Sequence, residues 1–152
     1  YQSLISRSSS GCEFMQELEK LATTTLQSSI LTHHRLKHLG EMAQSTEDHI
    51  SRLALGLSIS QGAINSQFTT STLSKEPVYQ GVISEKQLRG KTLFKDDLVL
   101  WLALVLKIQE PVDYTEWRSV FVSHWERGVE ILTEKSIHHE DWLEVVSSCL
   151  NQ

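Results

Sequence analysis

The sequence is poor in cysteine and proline and has no long apolar run, and these shortages exclude several classes of protein. Only Cys12 and Cys149, near opposite ends of the 152-residue chain, are available for disulfides. A small secreted protein held by disulfides needs more, so we expect reduced thiols in a cytoplasmic protein. The longest apolar run, residues 98–106, has nine residues. A membrane span needs about 18, so we expect no membrane partner.

The chain begins at Tyr1 rather than at methionine, and no basic-then-apolar signal pattern follows. We therefore expect upstream residues to be missing. Residues 1–11, which contain the run SRSSSG, are predicted to form a flexible N-terminal arm. Residues 12–152 are long enough for one helical domain with its own core.

Apolar residues recur at helical spacing along most of the chain, so the predicted fold class is mainly α. We expect a compact single helical domain with a long loop or weak β-hairpin between helices. Residues Thr23 to Ile30 read as a short strand or a frayed helix end. The predicted helix starts are near Glu13, after a Thr32 cap, after a Ser45 cap, at Asp96 or Asp97, after Asp113 and near Glu140. The weak hairpin would use residues 68–73 and 78–83.

Two of these helices differ in pattern. Residues 98–106 are apolar on every side, which predicts a helix buried all round, either at the centre of the domain or in an oligomer interface. Residues 113–133 alternate between polar and apolar with a helical period, which predicts an amphipathic helix. Its expected buried stripe is Trp117, Val120, Phe121, His124, Trp125, Val129 and Leu132. We expect the four tryptophans to be core residues rather than a base-stacking platform.

The net charge of −5 conceals an uneven distribution. Residues 33–95 hold eight basic and five acidic residues, whereas residues 96–152 hold four basic and eleven acidic ones. A basic centre beside an acidic end is compatible with a polyanion bound on one face. Lys86, Arg89, Lys91 and Lys95 lie just before a helix start, a suitable position for gripping phosphate. A solvated loop is the alternative.

Other chemistries find less support. Gly90-Lys91-Thr92 imitates the end of a nucleotide-binding P-loop, but Glu85 stands where the loop needs its first glycine. His34 and His38 have the spacing of two zinc ligands, but no third ligand is fixed by the sequence. Neither cysteine has an identifiable base beside it. We therefore predict no catalytic residue, no metal and no cofactor.

Two blocks of sequence resemble a known family. They are RLKHLGEMAQSTEDHISRLALGLSISQG (35–62) and KQLRGKTLFKDDLVLWLALV (86–105). Together, over about residues 28–109, they resemble the signature blocks of the DndE family of bacterial DNA phosphorothioation (DNA sulfur modification) proteins. The resemblance implies a helical, non-catalytic subunit that forms homo-oligomers and binds double-stranded DNA, intact or nicked. It would act beside the other DNA sulfur modification proteins, which carry the sulfur chemistry.

Carried over by position, the candidate DNA-binding residues are Arg52, Lys86, Arg89, Lys91 and Lys95. Arg52 could equally pack structurally, since it is one residue from an apolar helix face. Residues 112–152 depart from the family as an acidic helical C-terminal extension, which favours docking to a protein partner. This extension could also compete with DNA for the basic face.

Two other functions fit the same sequence. A strand followed by two helices imitates a ribbon-helix-helix transcriptional regulator, although TTTLQSSI (23–30) offers only Gln27 as a long base-reading side chain. An oligomeric assembly or adaptor protein without its own DNA contact would use the apolar helix as its oligomer core.

Overall fold

The computed structural model describes residues 19–77 and 79–151. Within them the fold is mainly α with one small antiparallel sheet, as predicted. The predicted arm and the predicted helix start at Glu13 lie outside the described residues, although residues 19–23 are helical. The further elements, in chain order, are β1 (Thr25–Gln27), α1 (Ile30–Ala43), α2 (Glu47–Ser60), β2 (Gln87–Arg89), α3 (Gly90–Phe94), α4 (Leu98–Ile108), α5 (Tyr114–His138) and α6 (Trp142–Leu150).

Helix α5 is the centre of the core. It packs against α1, α2 and α6, and every residue of its predicted apolar stripe is buried. A Cβ atom on Gly128 would lie 1.8 Å from the carbonyl oxygen of Ala54, so the backbones of α5 and α2 are in direct contact. The prediction of an amphipathic helix is confirmed, and α5 extends five residues beyond the predicted end, to His138.

Two helix caps are displaced from their predicted positions, whereas α4 and α5 begin after Asp97 and Asp113 as predicted. Helix α1 is capped by Ser29 rather than Thr32, because the Ser29 hydroxyl accepts a hydrogen bond from the Thr32 N–H at 3.2 Å. The Glu126 carboxylate of α5 holds this cap, accepting from the Ser29 N–H at 3.0 Å and from the Thr32 hydroxyl at 2.6 Å. Helix α2 is capped by Thr46, one residue after the predicted Ser45.

The sheet forms elsewhere than the predicted hairpin. β1 pairs antiparallel with β2, and the central pair Leu26 and Leu88 is buried. The strand expected within 23–30 is therefore confirmed. Residues 68–73 form no strand, and neither do the described residues of 78–83. Residues 63–86 instead form a long irregular connection, which we call the strap.

The strap is held down by polar contacts to a buried arginine. Arg35 of α1 is fully buried, makes a bidentate ion pair with Glu76 and donates to the Ser71 carbonyl at 2.6 Å. Its guanidinium also reaches Glu130 of α5 at 3.3 Å. Burial alone would raise the pKa of Glu76, but hydrogen bonds from Arg35 and the Leu73 N–H, together with the Arg35 charge, hold it below its usual range. These side-chain contacts take the place of sheet hydrogen bonds.

The prediction that residues 98–106 are buried all round is wrong for this chain by itself. In α4 only Leu102 and Val105 are buried, and the Trp101 ring lies against Gly56 of α2. Trp117 and Trp125 are core residues as predicted, while Trp101 and Trp142 are only half-buried at its margin. Among the described residues, no helix is both long and apolar enough to cross a membrane.

Candidate nucleic-acid interface

Four of the five candidate DNA-binding residues lie on residues 86–95, which run through β2 and α3 and are called the basic segment, and the fifth, Arg52, lies on α2. Leu88, Leu93 and Phe94 bury the inner side of this segment. Gly90 explains why a glycine stands there, since a Cβ atom would lie 1.6 Å from the Leu21 carbonyl oxygen. The P-loop-like Gly90 is thus required by close packing with residues 21–22, and the segment lies directly against the core.

Three of the cations are presented to solvent. Arg89, Lys91 and Lys95 are exposed, and no described residue forms an ion pair or side-chain hydrogen bond with them. Lys91 and Lys95 are one helical turn apart, with the Lys95 N–H bonded to the Lys91 carbonyl at 2.9 Å. Lys95 ends α3 with a φ of 55°, so only its N–H continues the helical turn, and both ammonium groups are exposed charges of this segment.

Lys86 is held by acidic neighbours. Its ammonium lies 3.5 Å from Asp48 and 3.7 Å from Glu47, both in the first turn of α2. Glu47 is also approached by Lys37 at 3.6 Å and by the His33 imidazole at 3.1 Å. Lys37 was not predicted from sequence, because it is 49 positions from Lys86 and only the folded chain brings both to one carboxylate. An anion that contacts Lys86 must therefore compete with these carboxylates.

A polar cavity of about 700 Å³ adjoins this cluster, between the end of α1, the start of α2 and the strap. Lys37 and Lys86 line it together with Tyr79. Burial and a hydrogen bond to the Glu41 carboxylate raise the pKa of Tyr79 to about 12, so its hydroxyl stays protonated near neutral pH. The cavity wall therefore carries two cations and a hydrogen-bond donor beside several carboxylates.

Arg52 has a packing role. Its guanidinium donates to the Thr92 carbonyl of α3 at 2.8 Å and is half-buried. This hydrogen bond supports the packing role for Arg52, because it joins α3 to α2. The basic segment lies along α2, with Lys86 at its first turn and Thr92 at Arg52.

One trio of residues has the outline of a hydrolase site. His124 lies between the Ser58 hydroxyl at 2.9 Å and the Gln109 side-chain oxygen at 3.1 Å. The Gln109 side chain donates from Nε2 to the Ile64 carbonyl and accepts from the Ile64 N–H at Oε1, which fixes the orientation of the amide. Because Oε1 also faces His124 and can only accept, His124 donates from Nε2 and accepts from the Ser58 hydroxyl at Nδ1. Burial and the nearby Arg127 charge lower the pKa of His124 to about 4.

This trio is closed to a substrate. Ser58 and His124 are both fully buried, and the Ser58 hydroxyl also accepts from the Arg127 guanidinium at 2.8 Å. The hydrogen-bond chain joins the end of α2, the end of α4 and the middle of α5. The role of this hydrogen-bond chain is therefore to link the three helices.

The remaining reactive residues have local partners. His34 accepts from the Tyr79 N–H at 3.1 Å, and His38 contacts Ser136 at 3.2 Å. Residues 19–77 and 79–151 contain no group of three or more His, Cys, Asp or Glu residues that could hold a metal ion. Cys149 is a half-buried free thiol whose pKa is raised by burial, and Cys12 lies outside the described residues.

Comparison with known proteins adds no relative. No family model matches the chain, and neither a curated protein nor a solved structure matches it.

Proposed function

We propose that this chain is a non-catalytic accessory subunit of bacterial DNA phosphorothioate modification that binds the DNA backbone in the cytoplasm. The observation that carries the DNA contact is the exposed trio Arg89, Lys91 and Lys95 on a segment packed against the core. The sulfur-modification system is proposed from the DndE-like blocks at 35–62 and 86–105. Double-stranded DNA, intact or nicked, and the other modification proteins are the proposed partners, and self-association is part of the proposal.

The chemistry of the segment suits phosphate better than base edges. Lysine ammonium groups act as point charges, which contact phosphates without reading sequence. Arg89 precedes α3 at the end of β2 and can add a forked contact to the same strand. Because such binding releases counterions, affinity should fall steeply with salt and should not depend on base sequence.

The first test is fluorescence anisotropy of the purified chain on intact and nicked duplexes across a salt series. Replacing Arg89, Lys91 and Lys95 together by glutamine should reduce the salt slope by about 2–3 units, since each lost phosphate contact removes about 0.9. Lys75→Gln is the matched control, because Lys75 is exposed on the strap and outside the basic segment. An unchanged slope in the triple variant would reject the site.

The assembly-protein alternative is also supported by an observation, the exposed apolar residues of α4. It predicts no DNA binding even at low salt, but co-purification with a sulfur-modification protein from nuclease-treated extract. The ribbon-helix-helix alternative gains no support, since β1 is paired with β2 of its own chain. A regulator would enrich one palindrome from random duplexes, and a backbone binder would not.

The acidic extension needs a different test from deletion. Because α5 forms the centre of the core, removing residues 112–152 would unfold the protein. Replacing the exposed acids Glu140, Asp141 and Glu144 of the α6 end by glutamine leaves the core intact. If this extension competes for the basic segment, DNA affinity should rise; an equal affinity would remove self-masking from the proposal.

A further inference from the structure

Helix α4 presents an apolar face that nothing in the described fold covers. Val99 is 75% exposed, Leu100 56% and Leu104 36%. Exposure of three large aliphatic side chains on one short helix does not stabilise the fold, and such a group indicates an interaction surface. Ala103 is exposed between them. Leu100, Ala103, Leu104 and Lys107 follow helical spacing, so they form one stripe along the helix.

The ends of this stripe carry opposite charges. Asp96 and Asp97 are exposed at the start of α4, and Lys107 is exposed in its last turn. No charged residue lies between them. From Asp97 to Lys107 the helix rises about 15 Å, and the midpoint falls at Leu102, beside the small Ala103.

We propose that α4 pairs antiparallel with α4 of a second copy of this chain, across a two-fold axis beside Ala103. Reversing the helix about its midpoint places Lys107 of each copy against Asp97 of the other, and the aliphatic stripe against itself. A two-fold interface must be self-complementary in this way. Antiparallel packing also sets opposite ends of the two helix dipoles together.

The small residue at the centre permits close approach. Helix axes pack 8–10 Å apart, and Cα atoms lie about 2.3 Å from each axis. At the closer spacing the two backbones approach to about 3–4 Å, and reversal about Leu102 offsets the two Ala103 residues by about 3 Å along the axis, so their Cα atoms would be about 4–5 Å apart, within the range of a disulfide. A single helix face is smaller than the roughly 800 Å² that each partner contributes to a standard interface, so we expect micromolar affinity and a dimer that depends on concentration.

This pairing rests on the self-association in the proposed function and deepens it, because it names the surface and the geometry, and it requires no DNA. The first test is cysteine cross-linking in the full chain with Cys12 and Cys149 replaced by serine. Ala103→Cys should form an intermolecular disulfide at least tenfold faster than Val82→Cys, an exposed control on the strap. Equal rates would overturn the two-fold axis.

Sedimentation equilibrium tests the charges independently. Lys107→Glu should weaken the dimer roughly tenfold, because two symmetric ion pairs become repulsive contacts. Adding Asp96→Lys and Asp97→Lys to it should restore the wild-type affinity. If the wild-type chain remained monomeric at a protein concentration 100-fold above the expected micromolar dissociation constant, the proposal would be overturned. Salt-dependent anisotropy of Lys107→Glu on duplex DNA reports the DNA contact separately, since Lys107 lies outside the basic segment.

Discussion

Helices α4 and α5 both carry tryptophan and other large apolar side chains, yet they relate to the core in opposite ways. Helix α5 contains many charged residues and is buried along one continuous stripe, while α4 has one charged residue and buries only Leu102 and Val105. The difference teaches that polar residues define which face of a helix turns inward. A helix without them can pack on any side, so its burial depends on what lies beside it.

The largest expected effect on stability concerns the close backbone contact between α5 and α2. Gly128→Ala places a methyl group on the backbone of Ala54, so we expect a loss of more than about 4 kcal/mol or failure to fold. Gly56→Ala is the matched variant on the α4 side, where the new Cβ would lie 3.6 Å from the Trp101 ring. Because this is ordinary contact in a helix interior, we expect a gain of about 0.5–1 kcal/mol. Urea unfolding of both variants measures the contrast; similar losses would show α4 to be packed as tightly as α5.

Buried polar contacts to α5 give the next effect. Arg35→Leu would leave Glu76 and Glu130 without their cation, and we expect a loss of about 3–5 kcal/mol. Arg118→Leu, which removes one exposed bond to the Thr25 carbonyl, should cost less than about 1 kcal/mol. Thermal and urea unfolding report both. Since the pKa of Glu76 is lowered in the fold, its contribution is present above the unfolded pKa of 4.5 and is lost as pH falls below it.

The link between α4 and α5 through His124 should respond to acid. Its pKa falls from 6.5 in the unfolded chain to about 4 in the fold, so the unfolded state binds more protons between these values. The contribution of His124 to the free energy of unfolding is therefore fully present above pH 6.5 and declines toward pH 4, by on the order of 3 kcal/mol. His124→Gln should flatten the decline, whereas His49→Gln, at an exposed position, should not. Identical pH profiles for wild type and His124→Gln would contradict the assignment.

The smallest effect concerns the turn that leads into α4. Lys95 has φ 55° and ψ −132°, a conformation that favours glycine, and the turn is closed by the Asp97 N–H at 3.0 Å from the Phe94 carbonyl. Lys95→Gly should stabilise the fold by about 1 kcal/mol. Lys91→Gly, within α3, should instead destabilise it by about as much. Both variants lose one cation, so their DNA affinities should fall alike while their unfolding midpoints move apart.

Much of the fold could be predicted, and the failures share a cause. The stripe from Trp117 to Leu132 and the strand near Thr25 follow from local pattern, which depends only on neighbours in sequence. The hairpin at 68–83 failed because the buried Arg35 holds the strap by side-chain bonds that no local pattern contains. The prediction of a Thr32 cap was wrong because Glu126, 97 residues from Ser29, accepts from the Ser29 N–H and fixes the cap there.

The candidate site divides in the same way. Sequence located the basic segment and left open whether Arg52 contacts DNA or packs, and the fold shows its bond to Thr92. It did not foresee that Glu47 and Asp48 hold Lys86, nor that Lys37 joins them. The assignment of DNA contacts stays a prediction until binding is measured.

By itself the sequence determined the helical class, the buried stripe of α5 and the positions of the cations, because periodicity and charge are local properties. Only the tertiary structure decided which apolar helix is exposed, which serine caps α1, and why Gly90 and Gly128 must be glycine. Those outcomes depend on atoms brought together from distant parts of the chain. Exposure, pairing and close backbone contact depend on which residues are neighbours in the folded protein. Local sequence does not identify those neighbours.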